Sequence, residues 1–391
     1  MANILLCADE LHASLAAVRG LHDGGHVPYL AVCTPDTYAS YSRFTAGTLE
    51  VPDPDFDPEG FAMAVLATGA KIGADAILPG TETSLVVLAR YAESLPTEIS
   101  IGAPSADRVL TAVDKSAVME LARKEGLLTP PTRTATPDEL RSDAAKLEYP
   151  LILKPPRSRL PTGENTMRRF RTERIDTPAE LARQLDGAPS EGAWLVQPFL
   201  DATLSAIGGV AWEGEAVSAV HQQAQRIWPP HSGYSSYAET VPTNTSVEEA
   251  VRRVLAQLQW SGIFEFQFIR AGGENYFIDF NPRLYGSIGL AIGAGMNLPA
   301  IWADLVLGKK PRVSTYRPGT RYRMEHNDFR AIRRLFGTGA YGAGVRALLP
   351  RRNTVHGVFS LRDPGPARTF LHKVGARARQ RVKGDARSRG A

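Results

Sequence analysis

The stretch Gly262–Arg283, GIFEFQFIRAGGENYFIDFNPR, decides how this chain reads. Polar and apolar residues alternate along it, and on a strand residues two apart share a face. Ile263–Arg270 and Asn275–Phe280 therefore read as a hairpin turned at Ala271-Gly-Gly-Glu274. Glu265 and Gln267 point together, as do Asp279, Asn281 and Arg283, and the hairpin sets the two polar rows side by side. Phe264, Phe266, Phe268, Phe277 and Phe280 make the opposite face core. A solvated sheet edge has no need of an amide, a carboxylate, an asparagine and an arginine within a pair so rich in phenylalanine. An oxygen-only cluster of this kind suits Mg²⁺, with Mn²⁺ as a substitute, because hard cations take a few protein oxygens plus substrate phosphates. Arg283 would bind phosphate or carboxylate oxygens through its forked donors.

Upstream, short apolar runs alternate with helical stretches. Asn3–Ala8 and Val27–Cys33 read as strands, a helix covers about 60–73, and Ala74–Leu78 is the next strand. Alternation with short turns implies a parallel open sheet, which binds ligands beyond the carboxyl ends of its strands. The Gly80–Ser84 turn lies at such an end; Glu82 there reads as a contact for a substrate amine or as a helix cap. No GxGxxG follows the first strand, so this sheet is not read as a nicotinamide-binding domain. Asp114–Gly126 reads as a helix, Tyr149–Lys154 as a strand cut off by Pro155-Pro156, Arg157–Arg174 as a basic loop flanking a strand, and Ala193–Phe199 as a strand. Leu204–Val210 and Ala216–Gln223 form a further pair. Val247–Trp260 is an amphipathic helix, with Val251, Val254, Leu255 and Leu258 on one stripe.

At this point the residues resemble the ATP-grasp superfamily, particularly its carbamoyl-phosphate-synthetase-like and carboxylate–amine ligase branches. Asp279-Phe-Asn-Pro-Arg283 is similar to the Glu-x-Asn-Pro-Arg signature of that family. The resemblance runs from about residue 105 to 310. It implies that Lys115 and Lys154 are the two nucleotide lysines. It makes Val196-Gln197-Pro198-Phe199 the hinge that receives adenine, with Phe199 or Leu200 packing on the ring. Gln267, Asp279 and Asn281 match the metal-ligand positions, with Glu265 beside them. Asp201 is the nearest acid for the ribose. Asp279 departs from the usual Glu by one methylene, and the loop after Lys154 lacks the usual glycine run, so Arg157 and Arg159 stand where backbone amides would meet phosphate. The segment His221–Glu239, with Arg226, Gly233 and Tyr234, resembles the stretch over the acceptor site in the ligase branch. It implies that Arg226 binds a substrate carboxylate or the acyl phosphate and that Gly233 admits the ligand to the backbone. His221 reads as a substrate-side group or a structural histidine; it and His231 have no partner at zinc-ligand spacing.

The implied fold is α/β and α+β: an ATP-grasp fold with an N-terminal Rossmann-like parallel-sheet domain. The expected units are 1–112, a lysine-bearing subdomain over 113–198, a metal-bearing subdomain over 199–312, and a C-terminal extension over 313–391. The implied activity is ATP-dependent, ADP-forming ligation of a small carboxylate and an amine, with an amino acid as one substrate. Alternatives are a non-catalytic or regulatory ATP-binding relative and, lower, a carbamoyl-phosphate or carboxylase-type enzyme, for which no glutaminase segment or biotinylated domain is read. A homodimer is compatible with the family.

Composition agrees with this class. Hydrophobic residues make up 43% and charged residues 22% of 391, which excludes a mostly disordered chain. No apolar run is long enough to span a membrane, the start MANILLCADELH lacks a secretory n-region, and Cys7 and Cys33 are too few for a disulfide framework; the expectation is cytoplasmic. Residues 351–391 carry 11 Lys+Arg against 2 Asp+Glu, so the total of +4 hides a basic tail on a mildly acidic body. Ala340–Gly344 reads as a loop. Pro366–Lys383 reads as a weakly amphipathic basic helix, solvated or frayed, with weak contact to an anionic membrane surface as its other reading; without interleaved aromatic residues, no nucleic-acid partner is expected.

Overall fold

In the computed structural model, β1 (Asn3–Cys7) is an apolar run whose Ile4, Leu5 and Leu6 have no exposed surface. Burial on both faces is what a central parallel strand requires. The structure describes residues 1–8, 12–92, 99–156, 159–163, 166–189 and 192–388. β1, β2 (Val27–Val32), β3 (Gly47–Glu50), β4 (Ala76–Pro79) and β5 (Ser100–Ile101) form a parallel sheet in the order β3-β2-β1-β4-β5. The strand order reverses between β2 and β4 around β1, so the crevice beyond Cys7 and Pro79 is a switch point. The helix after β4 begins at Glu82, because Thr81 and Ser84 cap it reciprocally.

A second sheet is antiparallel. It joins β6 (Arg133–Ala135), β7 (Leu151–Lys154), β10 (Glu173–Ile175) and β11 (Trp194–Pro198) in the order β10-β7-β11-β6. Leu140, Leu153, Leu181 and Trp194 make its separate core. Between β7 and β10 the segment expected as a loop contains the ribbon β8 (Arg159–Gly163) and β9 (Thr166–Arg169). Arg157 and the side chain of Arg159 lie outside the described residues.

The third sheet has seven strands in the order β16-β15-β12-β13-β14-β17-β18. These are β12 (Thr203–Trp212), β13 (Glu215–Trp228), β14 (Tyr234–Thr240), β15 (Gly262–Ala271), β16 (Glu274–Asn281), β17 (Arg321–Arg323) and β18 (Thr354–His356). Its phenylalanine face packs on the helices Ala106–Val113, Lys115–Lys124 and Thr245–Leu258. Val251, Val254, Leu255 and Leu258 of the last helix are buried there, the stripe its periodicity implies. Near the other face, Ile263, Leu284, Leu298 and Ile301 share one apolar core with Ile4, Leu6 and Leu15 of the first sheet's layers. The first and third sheets are thus joined through hydrophobic packing.

The C-terminal segment departs from expectation twice. Ala340–Gly344, expected as a loop, opens the helix Tyr341–Leu348. Gly344 is a packing residue: a Cβ there would lie 2.8 Å from the Phe336 ring, so glycine lets this helix close on its neighbour Glu325–Gly337. The stretch expected as a solvated basic helix is a helix, Pro364–Ser388, but its first turns dock on the first domain. Phe370 is 3% exposed and edge-on to Tyr38, and Lys373 pairs with Asp36 at 2.8 Å. Ahead of it, buried Asp363 accepts from Arg19 Nε (2.9 Å), Ser42 Oγ (2.8 Å) and the Arg43 amide (3.0 Å). No helix among the described residues is long and apolar enough to cross a membrane. Removing one member of a buried charge pair strands the other. Asp363→Ala is therefore expected to lower unfolding stability by about 3 kcal/mol in denaturant melts.

Candidate active site

The register of the third sheet assembles the polar cluster. Glu265 lies opposite Asn281, and Gln267 opposite Asp279, on neighbouring strands β15 and β16. Ala206 and Gly208 of β12 flank Gln267 and Glu265 on the other side, and a Cβ on Gly208 would lie 2.3 Å from the Tyr285 hydroxyl, so the Tyr285 phenol fills the space above that glycine. Glu265 is only 4% exposed. Its carboxylate accepts from Gln222 Nε2 (3.2 Å), Gln267 Nε2 (3.0 Å) and Asn281 Nδ2 (2.9 Å). Gln222 also donates to Ser287 Oγ at 2.8 Å. Arg283 Nη2 donates to Asn281 Oδ1 at 3.4 Å, so the arginine closes the end of the row. Gln222 and Ser287 are cluster members that sequence reading misses. The available signal was the glutamine pair in Ala219-Val-His-Gln-Gln-Ala224, where alternation sends His221 and Gln222 to opposite faces.

A bulge in β16 connects this cluster to the lysines. Gln267 pairs with Asp279 but Phe268 with Phe277, so Ile278 is the extra residue and its carbonyl turns out of the ladder. Lys154 Nζ donates to that carbonyl at 2.6 Å. Lys115 reaches the same place from the first turn of its helix and pairs with Asp279 Oδ2 at 3.5 Å. Lys115, Lys154, Leu195, Ile278, Asp279 and Phe280 line a narrow cleft between the second and third sheets. Burial pulls the Lys154 ammonium down to about 8, with Lys115 pushing the same way and Asp279 opposing. Two lysines facing one aspartate leave an excess of positive charge, the complement of a polyphosphate.

The residues expected at the hinge follow Leu195, which lines this cleft, but Val196, Gln197, Phe199 and Leu200 are not among its lining residues. β6 pairs with β11 only as far as Val196, so the backbone of 197–200 carries no strand on that side. Gln197 is buried and donates to Thr132 Oγ1 at 2.8 Å. Phe199 is half-buried, with the Arg174 guanidinium 4.2 Å from its ring centre and His231 at its edge; Leu200 is half-buried and Asp201 exposed. One face of Phe199 is therefore already covered by a cation.

The substrate-side residues divide. Glu82 occupies the first turn of its helix, and a Cβ on its neighbour Gly80 would lie 2.9 Å from Leu284 Cδ1, next to Arg283. The switch-point crevice of the first sheet thus opens beside the arginine end of the cluster. His221 does not join it: its ring faces the helix Thr245–Leu258 and meets Glu248 Oε2 at 2.8 Å. Arg226 is held away by a bidentate pair with fully buried Asp328, at 2.6 and 3.0 Å. Arg323 Nε sits 3.0 Å from the same carboxylate, and both arginines stack on Tyr237. The alternating Arg321-Tyr-Arg323 is the sequence signal that would have pointed to this pair. Gly233 closes a turn so tight that a Cβ would lie 2.1 Å from the Pro229 carbonyl oxygen, and Tyr234 beside it is exposed.

The donor set fits a hard divalent cation. Among the described residues no group of three or more His, Cys, Asp or Glu is placed to hold a metal, so Gln267 and Asn281 must add amide oxygens to the carboxylates of Glu265 and Asp279. Burial raises the Glu265 carboxyl from its usual 4.5 to about 7, against the pull of Arg283 and the donors from Asn281 and Gln267. A carboxylate in that condition is one that a cation would hold ionised.

Comparison with known proteins agrees with this geometry. Residues 190–328 match a family described as ATP-grasp in the biosynthetic pathway with Ter operon. The carbamoyl phosphate synthase large chain of Deinococcus deserti is 27% identical over 288 residues, covering 70% of this chain and 26% of that one. The C-terminal section of the Aquifex aeolicus large chain is 24% identical over 323 residues, covering 77% and 55%. This chain therefore spans between a quarter and just over half of those relatives. Among solved structures, biotin carboxylase from Campylobacter jejuni superposes with a TM-score of 0.61 at 16% identity, covering 82% of this chain and 74% of that one. An L-amino acid ligase from Bacillus licheniformis gives 0.59 at 17%, covering 82% and 78%. The fold is that of these solved structures, two sheets facing each other across a lysine-lined cleft. The chain is thus similar to the ATP-grasp superfamily, with the family match over residues 190–328 and carbamoyl phosphate synthases among its curated relatives.

The Glu265 shift has a signed consequence. The folded chain keeps a proton on this group up to about pH 7, whereas the unfolded chain releases it near 4.5. Folded protein thus binds more protons in that window, and stability falls as pH rises through it. In metal-free denaturant melts, Glu265→Gln is expected to flatten a decline of up to roughly 3 kcal/mol; an unchanged slope would refute the assignment.

Proposed function

We propose that this chain is an ATP-dependent, ADP-forming ligase that activates a small carboxylate and joins it to an amine, with an amino acid among its substrates. The observation that carries the reading is the convergence of Lys115, Lys154, Asp279, Asn281, Glu265 and Arg283 on one cleft edge. Lys154 and Lys115 hold the phosphate chain by charge. Glu265, Gln267, Asp279 and Asn281 would hold Mg²⁺, which when bound neutralises phosphate oxygens and orients them for transfer. Arg283, fixed on Asn281, orients the oxygens of the incoming carboxylate and stabilises charge as its acyl phosphate forms. The crevice beside Leu284 offers Glu82 to the amine that then displaces phosphate. The two-sheet cleft serves to exclude water, since an acyl phosphate hydrolyses. The Bacillus licheniformis amino acid ligase supports this choice of reaction by its fold.

The test is ADP release with a panel of amino acids, singly and in pairs, with the product identified by mass. A ligase gives amine-dependent ADP; a binder without turnover gives none. Asn281→Ala is expected to reduce metal-dependent ADP formation by about 100-fold while far-UV dichroism and melting stay close to wild type. Binding of magnesium adenylate, followed by calorimetry, should weaken as pH rises through about 8, where Lys154 loses its proton. Lys154→Met should remove that pH step and lower affinity by about tenfold or more.

A further inference from the structure

The helix Tyr341–Leu348 carries an apolar stripe that nothing among the described residues covers. Tyr341 is 65%, Val345 53% and Leu348 49% exposed, and Leu349 just beyond is 55% exposed. Their spacing sets them on one side, while Gly344 and Ala347 are buried and Gly344 closes on Phe336. Around the stripe, Arg333, Arg334, Arg346, Arg351 and Arg352 are exposed, and no ion pair engages them among the described residues.

The acids of this segment are all turned inward. Residues 325–376 contain nine Lys+Arg and only three acids, Glu325, Asp328 and Asp363. Each acid has no exposed surface. Glu325 is taken by His356 at 2.9 Å, Asp328 by Arg226 and Arg323, and Asp363 by Arg19. Solvent therefore meets aliphatic and cationic groups here without a compensating negative one.

We propose that this face docks on an anionic lipid surface, the helix Tyr341–Leu348 lying in the membrane plane with its stripe at headgroup depth and the arginines on lipid phosphates. A surface helix with an apolar side and a basic border partitions in this way. A second copy of the chain is a poorer occupant, because it would bring arginines against arginines. Nucleic acid would use the charge but gain nothing from Val345, Leu348 and Leu349, since single strands want stacking rings and duplexes want base-edge donors. The inference is independent of the ligase reading.

The experiment is co-sedimentation of the full chain with phosphatidylcholine vesicles, with or without roughly a third phosphatidylglycerol, at physiological salt. Binding to the anionic vesicles is expected to exceed binding to the neutral ones by about tenfold or more. The double variant Val345→Asp with Leu348→Asp, both at exposed sites, should lose about tenfold of that binding. Unchanged melting and unchanged nucleotide affinity in the variant show that the fold is intact. Arg351→Glu with Arg352→Glu should lose a similar amount. Equal binding to both vesicle types, full retention by the aspartate variant, or duplex DNA captured more tightly than lipid would each overturn the proposal.

Discussion

A carboxylate buried inside a sheet is the constraint around which the rest is organised. Glu265 sits in the third sheet with three amide donors on it and Arg283 beyond Asn281. Its burial is tolerable only because those donors are supplied by strands on both sides, β13 and β16, and by its own strand. The phenylalanines next to it in sequence face the opposite way into the helical layer. A slip of one residue would exchange the two rows, placing Glu265 among the rings of Phe277 and Phe280 on the neighbouring strand and an aromatic ring of its own strand in the cleft. Core packing and site chemistry therefore fix the same register.

The bulge at Ile278 extends this logic to the nucleotide lysines. An unbroken ladder would have spent the Ile278 carbonyl on β15. Turned out, it anchors the Lys154 ammonium, at a site where burial favours the neutral amine. Asp279 holds Lys115 in the same small volume. The shorter aspartate keeps its carboxylate close to the strand, and one of its oxygens also accepts from the Phe280 amide at 3.1 Å. The cleft edge is thus assembled with cations in place and their full neutralisation left to a ligand.

Much of the hairpin and its polar row is legible in the sequence because strand alternation converts order directly into facing. Lys115, Lys154 and the hinge segment are legible only through resemblance, since a lysine ending a strand has no spacing rule of its own. The structure brings Lys115, Lys154, Asp279, Glu265, Gln267, Asn281 and Arg283 together. It turns His221 toward Glu248 and gives Arg226 to Asp328, because the partners of both lie far along the chain, where local pattern carries no information. The C-terminal segment was misread for the same reason. Glycines in Tyr341–Gly344 look like loop residues until Phe336 is seen beneath them, and Phe370 looks like one weak apolar position until Tyr38 supplies its seat.

The carboxylate of Asp363 binds side-chain and backbone groups of residues 19–43 from the far end of the chain. The family match ends at residue 328, yet the packing that covers the first sheet does not. A chain ended there would keep the cleft groups named above while stripping Arg19 of its counter-ion and uncovering Tyr38. The stretch that a family model recognises and the stretch that packs together have different borders in this molecule.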